Sequence, residues 1–131
     1  MAIIKFSEQF PETKAGRHIC AQILRSGTSA APNYGEAQSA ESRVDFINKL
    51  KIALKELRET EIWLKIIIKA ELIQRSEEIN SVLKETDDLI SILFKSIDTA
   101  KKINKYWIFR LLVVGVLSLA QSCANPQAES E

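Results

Sequence analysis

From Ile47 to Ile68 the chain repeats apolar side chains at alternating steps of three and four: Ile47, Leu50, Leu54, Leu57, Leu64 and Ile68, with Glu61 on the same track. A strand sends alternate residues to opposite faces, so this spacing excludes a strand. It requires about six turns of α-helix. Such a seam packs lengthwise against near-antiparallel neighbours. Phe46, Ala53, Thr60 and Ile67 add a second stripe beside it, and a face this wide serves two neighbours, as in a bundle. Only 4 Gly and 3 Pro occur in 131 residues, which leaves few places for turns and favours long uninterrupted helices. The expected fold is all-α: an antiparallel up-down four-helix bundle with a shortened first helix. The bundle domain covers residues 1–105, and an apolar extension with a polar tail covers 106–131.

The elements follow in order. Ile3, Ile4, Phe6 and Phe10 mark a short amphipathic helix of two or three turns, closed by Pro11. Thr13 is the expected N-cap of the next helix. Its inner face runs Gly16, Cys20, Ile23, Gly27, Ala30 or Ala31, Tyr34 and Ala37, with small residues in the middle that admit a close neighbour. Pro32 lies inside this pattern, frees the carbonyl of Thr28 and predicts a kink, with Thr28 and Ser29 offering hydroxyls nearby. Ser42 with Asp45 reads as a capping arrangement for the long helix. Glu71 to Ser76 forms the next connection. Ser76 caps the fourth helix, Glu77 and Glu78 fill its first turn, and Val82, Thr86, Leu89, Leu93, Ile97, Ala100 and Ile103 form its inner face. Lys101, Lys102 and Lys105 suit the negative end of its dipole.

The stretch from Tyr106 to Ala120 is apolar almost all round apart from Arg110 and Ser118. It is shorter than the ~20 residues of a membrane span. Either it folds back or continues helix four, to about Leu119, over apolar surface that the short first helix leaves open, or it is an extraneous extension of the reading frame. Asn125 to Glu131 is expected to be disordered.

The chemistry-bearing residues are sparse. Eighteen basic against 17 acidic residues give a net charge of +1, no strong field for nucleic acid or membrane. The two cysteines, Cys20 and Cys123, make neither a metal spacing nor a disulfide framework. Cys20 among Ile19, Ile23 and Leu24 reads as a buried free thiol, and a reducing cytoplasm fits. The one histidine, His18, has no nucleophile or carboxylate constellation around it, so the chain reads as a non-enzyme; no cofactor or metal is expected. Glu61 is the anomaly of the seam. A carboxylate in a core position requires a partner. The expected partner is Arg25, with Ser29 or Asn33 as further hydrogen-bonding groups, making a polar core of Arg25, Ser29, Asn33 and Glu61. Lys49, Lys51, Lys55, Arg58, Lys65 and Lys69 lie along one helix, interrupted by Glu56 and Glu59 and followed by Glu71, and are the candidate nucleic-acid contacts.

Several runs carry a resemblance. They are Leu24–Arg25–Ser26–Gly27–Thr28–Ser29, Asn33–Tyr34–Gly35–Glu36–Ala37–Gln38, Ala40–Glu41–Ser42–Arg43, Asp45–Phe46 and Lys49–Leu50–Lys51. Ala53–Leu54–Lys55–Glu56 and Arg58–Glu59–Thr60–Glu61–Trp63–Leu64 complete them. They resemble the four helix bundle family that includes the 23S rRNA-intervening-sequence proteins, over roughly Phe10 to Lys102. The resemblance implies an antiparallel four-helix bundle assembled as a ring-like homopentamer, bacterial, with no enzymatic activity attached. Members are encoded in insertions of 23S rRNA genes or elsewhere in the genome. A related group is accessory to the reverse transcriptase of diversity-generating retroelements and binds nucleic acid. The chain departs from the family at both ends: the family's first helix is full-length, and the segment after about Lys105 has no recognised counterpart. Two functions follow as expectations. One is an oligomeric scaffold that contacts structured RNA or a ribonucleoprotein. The other is an accessory subunit of a reverse transcriptase or other protein.

Overall fold

The computed structural model describes residues 2–73 and 77–123, and side chains for 2–73 and 77–102. Among the described residues there are four helices and no strand: α1 (Ala2–Ser7), α2 (Lys14–Gln38), α3 (Arg43–Lys69) and α4 (Glu77–Cys123). The chain divides into two compact units, Met1–Ile97 and Asp98–Glu131.

In the first unit, α1 has six residues, fewer than two turns, where two or three turns are predicted. Thr13 caps α2 as expected, its Oγ1 accepting from the Gly16 amide at 3.0 Å. Ser42 caps α3, accepting from the Asp45 amide at 3.1 Å. Pro32 sits inside an unbroken α2. Around it Thr28 Oγ1 donates to the Leu24 carbonyl at 2.6 Å, Ser29 Oγ to the Arg25 carbonyl at 2.6 Å, and Asn33 Nδ2 to the Ser29 carbonyl at 2.8 Å. The polar side chains beside the proline thus serve the backbone of their own helix.

Helices α2 and α3 run antiparallel. Lys49 pairs with Glu36 near the connecting loop, and Ser26–Thr60 and Arg25–Glu59 meet farther along. Helix α4 runs antiparallel to α3 in the same way: Ile79 joins Ile67 in one cluster and Leu93 joins Leu50 in another. The first cluster draws on all four helices through Ile3, Phe6, Ile23, Leu64, Ile67, Ile79 and Val82. The second draws on three only, through Ala37, Leu50, Ala53, Leu54, Leu57, Leu93 and Ile97. The unit therefore has four helices at one end and three at the other, because α1 is too short to reach the second cluster.

On α3 the buried residues are Leu50, Ala53, Leu54, Leu57, Thr60, Leu64 and Ile67. The seam has turned toward the second stripe: Leu50, Ala53, Leu57, Thr60, Leu64 and Ile67 keep the steps of three and four, while Ile47, Glu61 and Ile68 are half-buried. On α2, Gly16, Ile23, Ser26 and Ala37 are buried, but Ala31 and Tyr34 are exposed and Cys20 is only half-buried. The expected buried thiol is corrected accordingly. Cys20 Sγ donates to the Ser7 carbonyl at 3.5 Å, and desolvation, then the nearby Glu12 charge, push its pKa up. A thiol held protonated in this way is a poor nucleophile. On α4, Val82, Thr86, Leu93 and Ile97 are buried as expected, with Ile79 added, but Leu89 is 41% exposed.

In the second unit α4 continues as helix to Cys123, a turn beyond the expected Leu119. Lys101 is exposed and Lys102 pairs with Asp98 at 2.7 Å. The expectations for Ser76, for the side chains of Ile103 and Lys105 and for the tail Asn125 to Glu131 lie outside the described residues.

Candidate functional site

The polar contact sealed between α2 and α3 is Ser26 with Thr60. Thr60 Oγ1 lies 2.9 Å from Ser26 Oγ and 2.9 Å from the Glu56 carbonyl oxygen, and both residues are essentially inaccessible. Small hydroxyls fit here because Thr60 can use a carbonyl of its own helix or the Ser26 hydroxyl as partner, and Ser26 is met by Thr60. Thr86 repeats the device on α4, donating to the Val82 carbonyl at 2.8 Å.

The predicted core of Arg25, Ser29, Asn33 and Glu61 does not assemble around Glu61. Glu61 pairs with Lys65 on its own helix. Arg25 pairs instead with Glu59, and with Glu56 at 3.4 Å, at the edge of the α2–α3 contact, and remains half exposed. Ser29 and Asn33 bond to backbone carbonyls of α2. The reason is angular. Successive helical residues are about 100° apart. Thr60 faces α2 and Arg25 lies on the Glu56 and Glu59 side of it, so Glu61, about 100° to the other side, is out of reach of Arg25. Around Arg25 the electrostatics are those of a partly exposed network. Glu59 also accepts from Trp63 Nε1 at 3.3 Å, and its pKa is lowered chiefly by the Arg25 hydrogen bond, against an opposing desolvation. The Arg25 pKa is raised, first by the same bond.

The six candidate basic residues divide. Lys51, Lys55, Arg58, Lys65 and Lys69 follow steps of four and three through Ile62 and share the face of α3 opposite the buried track. All five are exposed, and the stripe is about 27 Å long at 1.5 Å per residue. Lys65 is held by Glu61, which raises its pKa first through that hydrogen bond. Lys51, Lys55, Arg58 and Lys69 make no ion pair among the described residues. Lys49 lies off the stripe, toward α2, where Glu36 holds it and raises its pKa. Glu56 and Glu59, which interrupt the sequence, are turned to the α2 side and occupied by Arg25.

One cleft of about 460 Å³ opens over the end of the unit that lacks α1. Its walls are Gly27, Ala30, Ala31 and Tyr34 of α2 and Val82, Glu85, Leu89 and Leu93 of α4, with Leu57 and Thr60 of α3 also lining it and Ala2 and Ile3 of α1 closing one end. The sequence placed Ala30 or Ala31, Tyr34 and Leu89 on inner faces; Ala30 is half-buried, while Ala31, Tyr34 and Leu89 are exposed where the unit has three helices. Among the described residues no group of three or more His, Cys, Asp or Glu could hold a metal ion. Among them, too, no helix is long and apolar enough to cross a membrane.

A family model described as 23S rRNA-intervening sequence protein matches residues 1–95. A solved structure, a protein of unknown function from the S23 ribosomal protein family of Bacteroides thetaiotaomicron, is similar at 41% identity and a TM-score of 0.66, covering 72% of this chain and 87% of that one. No curated protein matches.

Proposed function

The chain belongs to the 23S rRNA-intervening sequence protein family, and on that footing we propose that it is a non-enzymatic bacterial scaffold, assembled as a homopentamer, that binds structured RNA or a ribonucleoprotein. The observation that carries the reading is the basic face of α3. Four unpaired cations on a rigid helix, plus Lys65 held by Glu61, face outward while Glu56 and Glu59 between them are drawn to α2. A stripe of this kind neutralises phosphates without reading bases, so it suits shape and backbone recognition. A single copy with net charge +1 binds weakly. Five copies in a ring multiply the patch and gain avidity wherever one RNA can reach two or more of them.

The test is titration of 23S rRNA fragments at 50 and 200 mM salt, roughly the range in which phosphate contacts are lost. Four phosphate contacts give a slope of about −3 in log K against log salt for a single strand. Reversing Lys51 and Lys55 to Glu should flatten that slope and weaken binding. Affinity absent at low salt, or indifferent to salt, removes the RNA reading. It would leave the other role, accessory subunit of a reverse transcriptase or other protein. A reverse transcriptase gene beside this one, or an rRNA gene around it, separates the two.

A further inference from the structure

We infer that Arg25 is a positioning residue of the basic face: by holding Glu59 and Glu56 on the α2 side, it leaves Lys55 free to meet RNA phosphate. The inference rests on the RNA reading above. It starts from an exception. Two lysines of the first unit that have a carboxylate one turn away on their own helix pair with it, Lys65 with Glu61 and Lys84 with Asp88. Lys55 stands to Glu59 as Lys84 stands to Asp88, the lysine four residues before the carboxylate, a spacing that brings the two side chains together. Yet Lys55 makes no ion pair among the described residues, and Glu59 turns to Arg25 instead. The Glu59 pKa is lowered chiefly by the Arg25 hydrogen bond, and the Lys55 charge is among the lesser causes, so Glu59 already feels that lysine.

A guanidinium suits the task because its nitrogens can serve two carboxylates at once. Arg25 Nη1 donates to Glu56 at 3.4 Å and Nη2 donates to Glu59. Around α3, at about 100° per residue, Glu59 stands between Lys55 and Glu56. Glu56 and Glu59 are one turn apart, and like charges at that spacing repel. Without Arg25 this repulsion turns Glu59 toward Lys55. The remaining tie, from Trp63 Nε1 at 3.3 Å, is longer than an ordinary N–H···O bond and does not replace the guanidinium. Lys65 shows the consequence on the same face, where no third group takes Glu61 from it. A paired lysine gives up its carboxylate before it meets a phosphate. Arg25 belongs to α2 and not to the stripe, so its effect on binding passes through Glu59.

The experiment uses the full chain and 23S rRNA fragments at about 50 and 200 mM salt. Arg25→Gln should weaken binding about threefold at the lower salt and shrink the slope of log K against log salt by about 0.7, the share of one phosphate contact on a single strand. Adding Glu59→Gln should restore both. In a Lys55→Gln background Arg25→Gln should change neither, because the lysine it protects is gone. Circular dichroism checks that the variants stay helical. A readout without RNA follows the Lys55 ammonium by nitrogen NMR. Its exchange with water should slow in Arg25→Gln, as it enters an ion pair, and return to the native rate in the double variant with Glu59→Gln. Affinity unchanged by Arg25→Gln overturns the inference, and so does unchanged exchange at Lys55. A loss that Glu59→Gln does not restore, or that persists undiminished in the Lys55→Gln background, overturns it too, because Arg25 then touches RNA itself or acts through net charge. All of these leave RNA binding standing. A native chain without salt-dependent affinity removes the RNA reading, and the inference with it.

Discussion

Gly35 stands inside α2 with no atom within 4 Å of where a Cβ would be. Helix interiors favour Ala over Gly by about 1 kcal/mol, so Gly35→Ala should raise stability by about that amount, read as a higher urea midpoint at unchanged slope. Gly16→Ala should do the opposite, because its Cβ would lie 2.1 Å from the Pro11 carbonyl oxygen, a backbone atom that cannot yield cheaply. Burial decides the sign at Thr60 too. Thr60→Val keeps the shape, strands the hydroxyl of fully buried Ser26 and should cost about 1–2 kcal/mol. Glu59 gives the pH dependence. Its folded pKa lies below the ordinary 4.5, because Arg25 hydrogen-bonds the carboxylate. The unfolded chain therefore binds this proton more readily. The stabilisation is present above the unfolded pKa and is lost as pH falls through the folded one. Urea midpoints of the native chain should decline from pH 4.5 downward, and Glu59→Gln should remove part of that decline. An identical decline in the variant would place the acid sensitivity elsewhere.

At the scale of elements, the end of α3 shows how a short turn is built from an unfavourable residue. The Leu72 amide donates to the Ile67 carbonyl at 3.2 Å and the Glu71 amide to the Ile68 carbonyl at 3.4 Å, the paired bonds of a Schellman stop, and Leu72 packs onto the first cluster with Ile67. Glu71 holds φ at +50° in the position that usually takes glycine. That conformation costs a side chain about 1 kcal/mol, so Glu71→Gly should stabilise the chain by somewhat less than that, after the extra entropy glycine brings to the unfolded state. Thermal unfolding checks the gain, and a loss would mean that the Glu71 side chain contributes a contact of its own. Much of this scale was readable in advance. The caps Thr13 and Ser42 announce themselves because few side chains can serve an orphan amide, and the three-four spacing identifies α3 outright. What spacing could not decide was which of two adjacent tracks faces α2. Thr60 and Glu61 are both polar, so neither advertises burial. Nothing local to the sequence says that the Thr60 hydroxyl finds Ser26 while Glu61 turns away to Lys65. The cleft was hidden for a related reason: Ala31, Tyr34 and Leu89 carry core spacing, and their exposure depends on how many helices that end of the unit has.

For the molecule as a whole, the exposed apolar residues argue about assembly. Val44 and Ile52 of α3 and Phe94 of α4 are each more than 40% exposed, on faces that point away from the core of their own chain. Scattered surface apolars need no explanation, but several on two long parallel-sided helices mark a surface to be covered. A hydrophobic contact repeated around a closed ring leaves no free copy of the patch, which is what a homopentamer provides. For the pentamer proposed above, light scattering on the native chain should give about five times the 14.8 kDa monomer mass. Ile52→Glu and Phe94→Glu place a charge where a neighbour would otherwise bury an apolar side chain, and at least one of them should lower the mass without loss of helix by circular dichroism. The assembly then reports on binding: a variant that falls to monomer should lose the avidity of RNA binding while each remaining chain keeps the same salt slope per contact, since the stripe of α3 is intact. A native chain that runs as a monomer would end the ring reading and take the avidity argument with it. The basic face of α3 would then have to account for any RNA affinity from four unpaired cations alone.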